Sequence, residues 1–200
     1  METLPVTEVI WYIAILQWWA GGFYLLNKIF FSRAERAQDK VRKRNWKIAS
    51  WLVYLVGLPA WVIIFYLEKD WIAFYVEISG AVIMLLGLLV AWIGIKKTPK
   101  WFVAIGFIAA LVGMKYSFQD FGIMATIEQW LELGISIGFL IGMLLLAFER
   151  RSGYLWFVFM NICCGALMYI QGHHWLTLQQ CISLFFVLDA WRKYRPAHPS

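Results

Sequence analysis

Long apolar segments, separated by short connections, run through nearly the whole of this 200-residue chain. A helix rises 1.5 Å per residue, so about 20 apolar residues cross a hydrocarbon core of about 30 Å. Seven segments have lengths near this value: residues 9–31, 46–67, 71–95, 101–118, 130–148, 154–170 and 176–194. Backbone groups find no water in lipid, so each segment is predicted to be a helix. The expected fold class is an all-α integral membrane protein with seven transmembrane helices, formed by residues 1–200 as a single domain.

Composition agrees with a membrane location. Hydrophobic residues make up 62% of the chain and charged residues only 15%. A soluble domain of this length could not bury so much apolar surface. The net charge of +6 does not indicate nucleic-acid binding, because the basic residues cluster at segment ends, where they meet lipid head groups. The expected partner is therefore the lipid bilayer, with no nucleic acid.

The basic residues also alternate between successive connections. They cluster in residues 32–45, 96–100 and 149–153 and in the C-terminal tail, whereas residues 68–70, 119–129 and 171–175 carry few of them. Cytoplasmic connections of membrane proteins collect Lys and Arg. This pattern predicts a multi-pass protein of the cell (inner) membrane, with the N-terminus outside and the C-terminus in the cytoplasm.

A faint internal repeat relates residues 8–95 to residues 128–194. The third and seventh segments end in the matching pairs Ala91-Trp92 and Ala190-Trp191. An odd number of helices per unit makes residues 101–118 a linker helix that restores chain direction, so the two three-helix repeats run parallel. This three-plus-one-plus-three arrangement, similar to that of SWEET transporters, places a binding site between the halves. The alternative is that unrelated membrane helices flanked by Trp look alike.

Polar residues inside the segments are the candidates for a site, because a charged residue near the bilayer centre costs about 2.5–3.5 kcal/mol. Glu77 lies about two turns inside the third segment, and Gln179, Gln180 and Asp189 lie in the seventh. Asp189, like Lys28, is near a cytoplasmic end, where snorkelling to the interface is an alternative explanation.

One face of the sixth segment combines aromatic and amide side chains. Tyr154, Phe157 and Asn161 are spaced by three and four positions, which puts them on the same side of a helix. Such a face suits a flat, polar heteroaromatic ring, which it would stack on and hydrogen-bond. The alternative is a packed helix whose Asn161 bonds a neighbouring helix.

Signs of enzymatic chemistry are nearly absent from the sequence. There is no Gly-rich phosphate loop, and the adjacent His173 and His174 do not share a helix face as metal ligands would. The three cysteines fall inside apolar segments and are interpreted as reduced core residues. No catalytic residue, no metal and no cofactor is predicted, and the protein is not expected to be an enzyme.

These residues resemble a motif of the PnuC vitamin transporters. The sixth core helix of that family carries Trp-x-x-Trp-x-x-x-Asn, and this chain has Tyr154-x-x-Phe157-x-x-x-Asn161 in the same register. The family's Gln-Gly matches Gln171-Gly172. Three further family positions, in the third and seventh helices, fall on Glu77, Gln179 and Asp189. The chain departs from the family in the Trp pair, in Gly57 where the family has Asn, and in the missing Tyr-Gly-Trp cluster of the third helix.

The resemblance implies a passive transporter that works by facilitated diffusion. It implies nicotinamide riboside as the first expected substrate, with a cytoplasmic kinase that traps the vitamin, and a homo-oligomer in the membrane. The acid Glu77, where the family has Gln, favours a cationic ring. Two alternatives remain: a transporter of thiamine or another related vitamin, and a non-transporting membrane subunit that binds substrate for an importer.

Overall fold

The computed structural model describes residues 6–68, 71–119 and 126–194, and over these residues the chain is all-helical. The α-helices are α1 (Val6–Arg36), α2 (Lys40–Glu68), α3 (Trp71–Ile93), α4 (Lys100–Gln119), α5 (Ile127–Ala147), α6 (Ser152–Ile170) and α7 (His174–Lys193). A short 3-10 helix (Ile95–Lys97) joins α3 to α4. In the described part of the chain each α-helix overlaps one predicted segment, so the predicted number of helices, seven, is confirmed.

Four of these helices are long and apolar enough to cross a membrane. The spans are Lys40–Leu67 in α2, Ala73–Ile93 in α3, Ile127–Ala147 in α5 and Ser152–Ile170 in α6. Several long apolar helices in one chain indicate a multi-pass membrane protein.

Two helices extend well past their predicted apolar segments. The first ends at Arg36 and the second begins at Lys40, so the connection between them is only three residues long. The Asp39 carboxylate accepts a hydrogen bond from the backbone N–H of Arg42 at 2.9 Å and thereby caps the start of α2. Lys and Arg are good helix formers, so the charged residues around this connection continue both helices.

Six of the helices form a closed ring. In order around the ring they are α1, α2, α3, α5, α6 and α7, and α7 packs against α1 to close it. The remaining helix, α4, lies outside the ring and packs against α3 and α5.

The two ends of the ring differ in charge. One end, called here the basic end, contains the connections 37–39, 94–99 and 148–151 and the end of α7. The opposite end is called the far end. Three residues on which the charge pattern also depends, Lys69, Asp70 and Arg195, lie outside the described residues.

Candidate functional site

A central cavity lies inside the helix ring and extends toward the far end. Its volume is about 130 Å³, measured as the space open to the centre of a water molecule, which is room for several waters. All six ring helices contribute side chains to it. The lining residues are Tyr24, Tyr54, Trp61, Phe65, Ala73, Val76, Glu77, Glu132, Ile135, Ser136, Phe139, Met160, Cys164, Leu167, Met168, Gln171 and Gln180.

The wall of the cavity combines carboxylates with aromatic faces. Glu77 comes from α3 and Glu132 from α5, so the two acids stand on different helices. On α2, the rings of Trp61 and Phe65 are stacked, with centroids 5.4 Å apart. Carboxylates beside aromatic faces attract a cationic ring, through the opposite charge and through the negative face of each π-system.

Several polar atoms around the cavity have no hydrogen-bond partner within the described part of the chain. They include one carboxylate oxygen of Glu77, the Gln180 side-chain oxygen, the Tyr54 hydroxyl and the Trp61 indole N–H. An unsatisfied buried polar group costs free energy, so native proteins give it a protein, water or ligand partner. These atoms are therefore positions at which water or a bound molecule would make hydrogen bonds.

Lys28 lies beneath the floor of the cavity. Its side chain is 1% exposed, and its ammonium nitrogen lies 3.6 Å from the centroid of the Phe157 ring. The Tyr24 and Tyr54 rings flank it at 4.4 Å and 5.4 Å. The alternative that Lys28 snorkels to the cytoplasmic interface is therefore wrong, because its amine points into the bundle.

Aromatic faces offset part of the cost of placing an ammonium group here. A cation over an aromatic ring gains about 2 kcal/mol when both are desolvated, which is comparable to the about 2.5–3.5 kcal/mol cost of a charge at the bilayer centre. Glu77 and Lys28 form no ion pair in direct contact.

The residues predicted from the sequence fall into two groups. Glu77 and Gln180 line the cavity, and Phe157 lies just below it against Lys28. Asn161 is buried near this floor, where its Nδ2 donates to the backbone carbonyl of Phe157 and its Oδ1 has no partner among the described residues. These four residues are brought together by the fold.

The other three predicted residues lie elsewhere. Gln179 donates from Nε2 to the backbone carbonyl of Gly21 at 3.2 Å, between α7 and α1. Asp189 lies at the basic end in a bidentate ion pair with Arg36, with both hydrogen bonds at 2.8 Å. Tyr154 is also at the basic end, and its hydroxyl donates to the Glu35 carboxylate at 3.1 Å.

Charged residues close the ring at the basic end. The buried carboxylate of Glu35 lies 2.6 Å from the ammonium group of Lys43. Lys47 contacts Glu149 at 2.7 Å and Glu35 at 3.9 Å. This set of residues, with Tyr154, is called here the basic-end cluster. The space inside it is only about 10 Å³, which is barely room for one water molecule.

Tyr24, Trp61 and Lys28 belong to the site but were not predicted from the sequence as parts of it. A usable signal was present for two of them, because Tyr24 and Lys28 are four positions apart and share a helix face. An aromatic residue one turn from a lysine in an apolar helix offers the cation a face to pack against. The position of Trp61 depends on how α2 is rotated in the ring, which no local pattern fixes.

Among the described residues, no group of three His, Cys, Asp or Glu side chains is arranged to hold a metal ion. The candidate site contains carboxylates, amides, aromatic rings and a buried lysine. The chain matches no protein-family model, no curated protein and no solved structure in comparisons with each of them.

Proposed function

We propose that the protein is a passive membrane transporter of a small, ring-bearing, vitamin-like molecule. The observation that carries this proposal is the central cavity, which all six ring helices line. Ligand sites in membrane transporters lie between helices near the bilayer midplane. The proposal supposes that all seven helices, including α1, α4 and α7, cross the membrane.

The packing order supports two parallel repeats. Within each proposed half, consecutive helices touch: α1 with α2 and α2 with α3, then α5 with α6 and α6 with α7. Between the halves, the third helix of each half packs against the first helix of the other half. Helix α3 packs against α5, and α7 packs against α1. Helix α4 stands outside this ring, as a linker helix would.

The basic end of the bundle is proposed to face the cytoplasm, which leaves the central cavity directed toward the outside. This orientation is supported by the cluster of Lys and Arg in the connections at that end. In this arrangement the cavity receives substrate from outside, and the basic-end cluster separates it from the cytoplasm.

Nicotinamide riboside is the first substrate to test, because its pyridinium ring fits the carboxylates and aromatic faces of the cavity wall. Trapping of the imported vitamin by a cytoplasmic kinase, and assembly into a homo-oligomer, are parts of the same proposal and derive from the resemblance. Thiamine, another cationic ring, is the alternative substrate.

Uptake into liposomes that contain only this chain tests the proposal. Labelled nicotinamide riboside should enter in a saturable manner without ATP, and Glu77→Gln should reduce the initial rate about tenfold, since about 1.4 kcal/mol of electrostatic attraction is a factor of ten. Glu128→Gln is the matched control, because Glu128 is exposed at the start of α5.

Binding without uptake would contradict transport and favour the non-transporting subunit. Uptake of thiamine instead of nicotinamide riboside, in the same liposomes, would keep the transporter and change its substrate. If neither molecule binds or enters, the proposed function is wrong.

A further inference from the structure

The buried Lys28 ammonium group lies directly below two rings that line the cavity. Tyr24 and Tyr54 belong to the cavity lining, and both also contact the Lys28 amine through their faces. Ring faces attract the charge of an ammonium group but accept none of its three N–H bonds in the way an oxygen does. In the described part of the chain, Nζ of Lys28 has no hydrogen-bond acceptor.

Ionisable side chains are therefore distributed unequally along the cavity. The acids Glu77 and Glu132 line its wall, whereas the amine of Lys28 lies under its floor. Glu77 and Lys28 form no ion pair in direct contact, and each carries a polar atom without a partner in the described part of the chain. The cavity thus has acidic side chains in its wall and a basic side chain under its floor.

We propose that the preferred cargo is itself dipolar, with a positively charged ring at the wall and an acidic group directed at Lys28. The inference rests on the proposed function and narrows its substrate class. The flexible four-carbon stem of lysine lets the ammonium group rise between the two tyrosine rings to meet the acid. A carboxylate is the stronger acceptor for an ammonium group than a neutral amide, because both partners are charged.

A purely cationic cargo meets the opposite situation at the floor. Its charge is attracted by Glu77 but repelled by Lys28, and its neutral end satisfies the ammonium group only through a weaker hydrogen bond. Lys28 is thus a residue that determines specificity between cargoes of the same shape.

Two isosteric pyridinium probes test this inference. N-methylnicotinate carries a carboxylate and N-methylnicotinamide a neutral amide on the same cationic ring. Their dissociation constants are measured by calorimetry on the purified full-length chain. The parent protein should bind the carboxylate probe at least tenfold more tightly than the amide probe.

Variants at Lys28 assign the preference to this residue. Lys28→Met keeps the length of the side chain and should abolish the preference, and Lys28→Arg keeps the charge and should retain most of it. Lys115→Met removes a charge from the exposed surface of α4 and should leave the preference unchanged. Gel filtration of each variant shows that it remains folded, and Lys28→Arg keeps the test valid where Lys28→Met does not fold.

Equal binding of the two probes by the parent, or a preference that survives Lys28→Met, overturns this inference. If nicotinamide riboside is nevertheless taken up into liposomes, the proposed function stands without this inference. If neither probe binds and no uptake occurs, both are overturned.

Discussion

Tyr154 has two candidate roles, stabilising the fold and contacting a ligand, and the partner of its hydroxyl group distinguishes them. The hydroxyl donates to the Glu35 carboxylate at 3.1 Å, at the basic end and away from the central cavity. Tyr154→Phe should lower the free energy of unfolding by about 1.5 kcal/mol, the lower limit for a hydrogen bond to a charged group, because Glu35 keeps its contact with Lys43. Ligand affinity should not change. Denaturant unfolding in mild detergent and ligand calorimetry measure the two quantities.

Tyr169→Phe serves as the control, since Tyr169 is exposed near the end of α6. It should change neither stability nor affinity. If Tyr154→Phe instead weakens ligand binding and leaves stability unaffected, the Tyr154 hydroxyl contacts the ligand, as a residue of the binding site would.

At the same scale, the sequence predicted which polar residues are buried better than it predicted where their side chains point. A polar residue in an apolar run must lie inside the bundle or at an interface, and this reasoning located Glu77 and Gln180, which line the cavity. It could not separate Lys28 from Asp189, because both stand near the basic ends of their helices. Only the neighbouring helices bring the rings of Tyr54 and Phe157 to Lys28, and Arg36 to Asp189.

At the scale of the helices, the close approach of α5 and α6 depends on glycine. A Cβ atom at Gly153 would lie 2.8 Å from the carbonyl oxygen of Gly142 and 2.7 Å from Cγ of Leu146. Small residues allow such backbone contact between membrane helices. Gly153→Ala should therefore cost about 1–3 kcal/mol of stability, as overpacking usually does, and thermal unfolding in detergent measures the loss.

Gly22→Ala is the matched substitution, because no atom lies within 4 Å of a Cβ placed there. It should leave stability equal or slightly higher, given the better helix propensity of Ala. Equal melting temperatures for the parent and for Gly153→Ala would show that the two helices can separate at no cost.

The helices themselves could be predicted because length and apolar content are local properties. Segments 101–118 and 154–170 differ from α4 and α6 by at most two residues at either end. The ring order could not be predicted in the same way. Contacts such as α7 with α1, or the placement of α4 on α3 and α5, join residues far apart in sequence and depend on the shapes of whole helix faces.

At the scale of the whole molecule, the free space among the described helices differs between the two ends of the bundle. About 130 Å³ is free in the central cavity, against about 10 Å³ within the basic-end cluster. A carrier that alternates between two openings must break the contacts at its closed end when the site turns inward. Lys47 is central to that closure, since it joins α2 to Glu35 on α1 and to Glu149 after α5.

Lys47→Met should therefore shift the bundle toward opening at the basic end. The reporter is Ala91→Cys in a chain whose three native cysteines are replaced by Ala, because Ala91 is buried and lines the small basic-end cavity. A membrane-impermeant maleimide should react slowly with this cysteine in inverted vesicles and severalfold faster once Lys47→Met is added. Lys40→Met, an equal charge change at an exposed position, should leave the rate unaltered. An unchanged rate with Lys47→Met would mean that other contacts hold the basic end shut. Labelling only from the outside of intact cells would mean that the basic end faces outward, opposite to the proposed orientation.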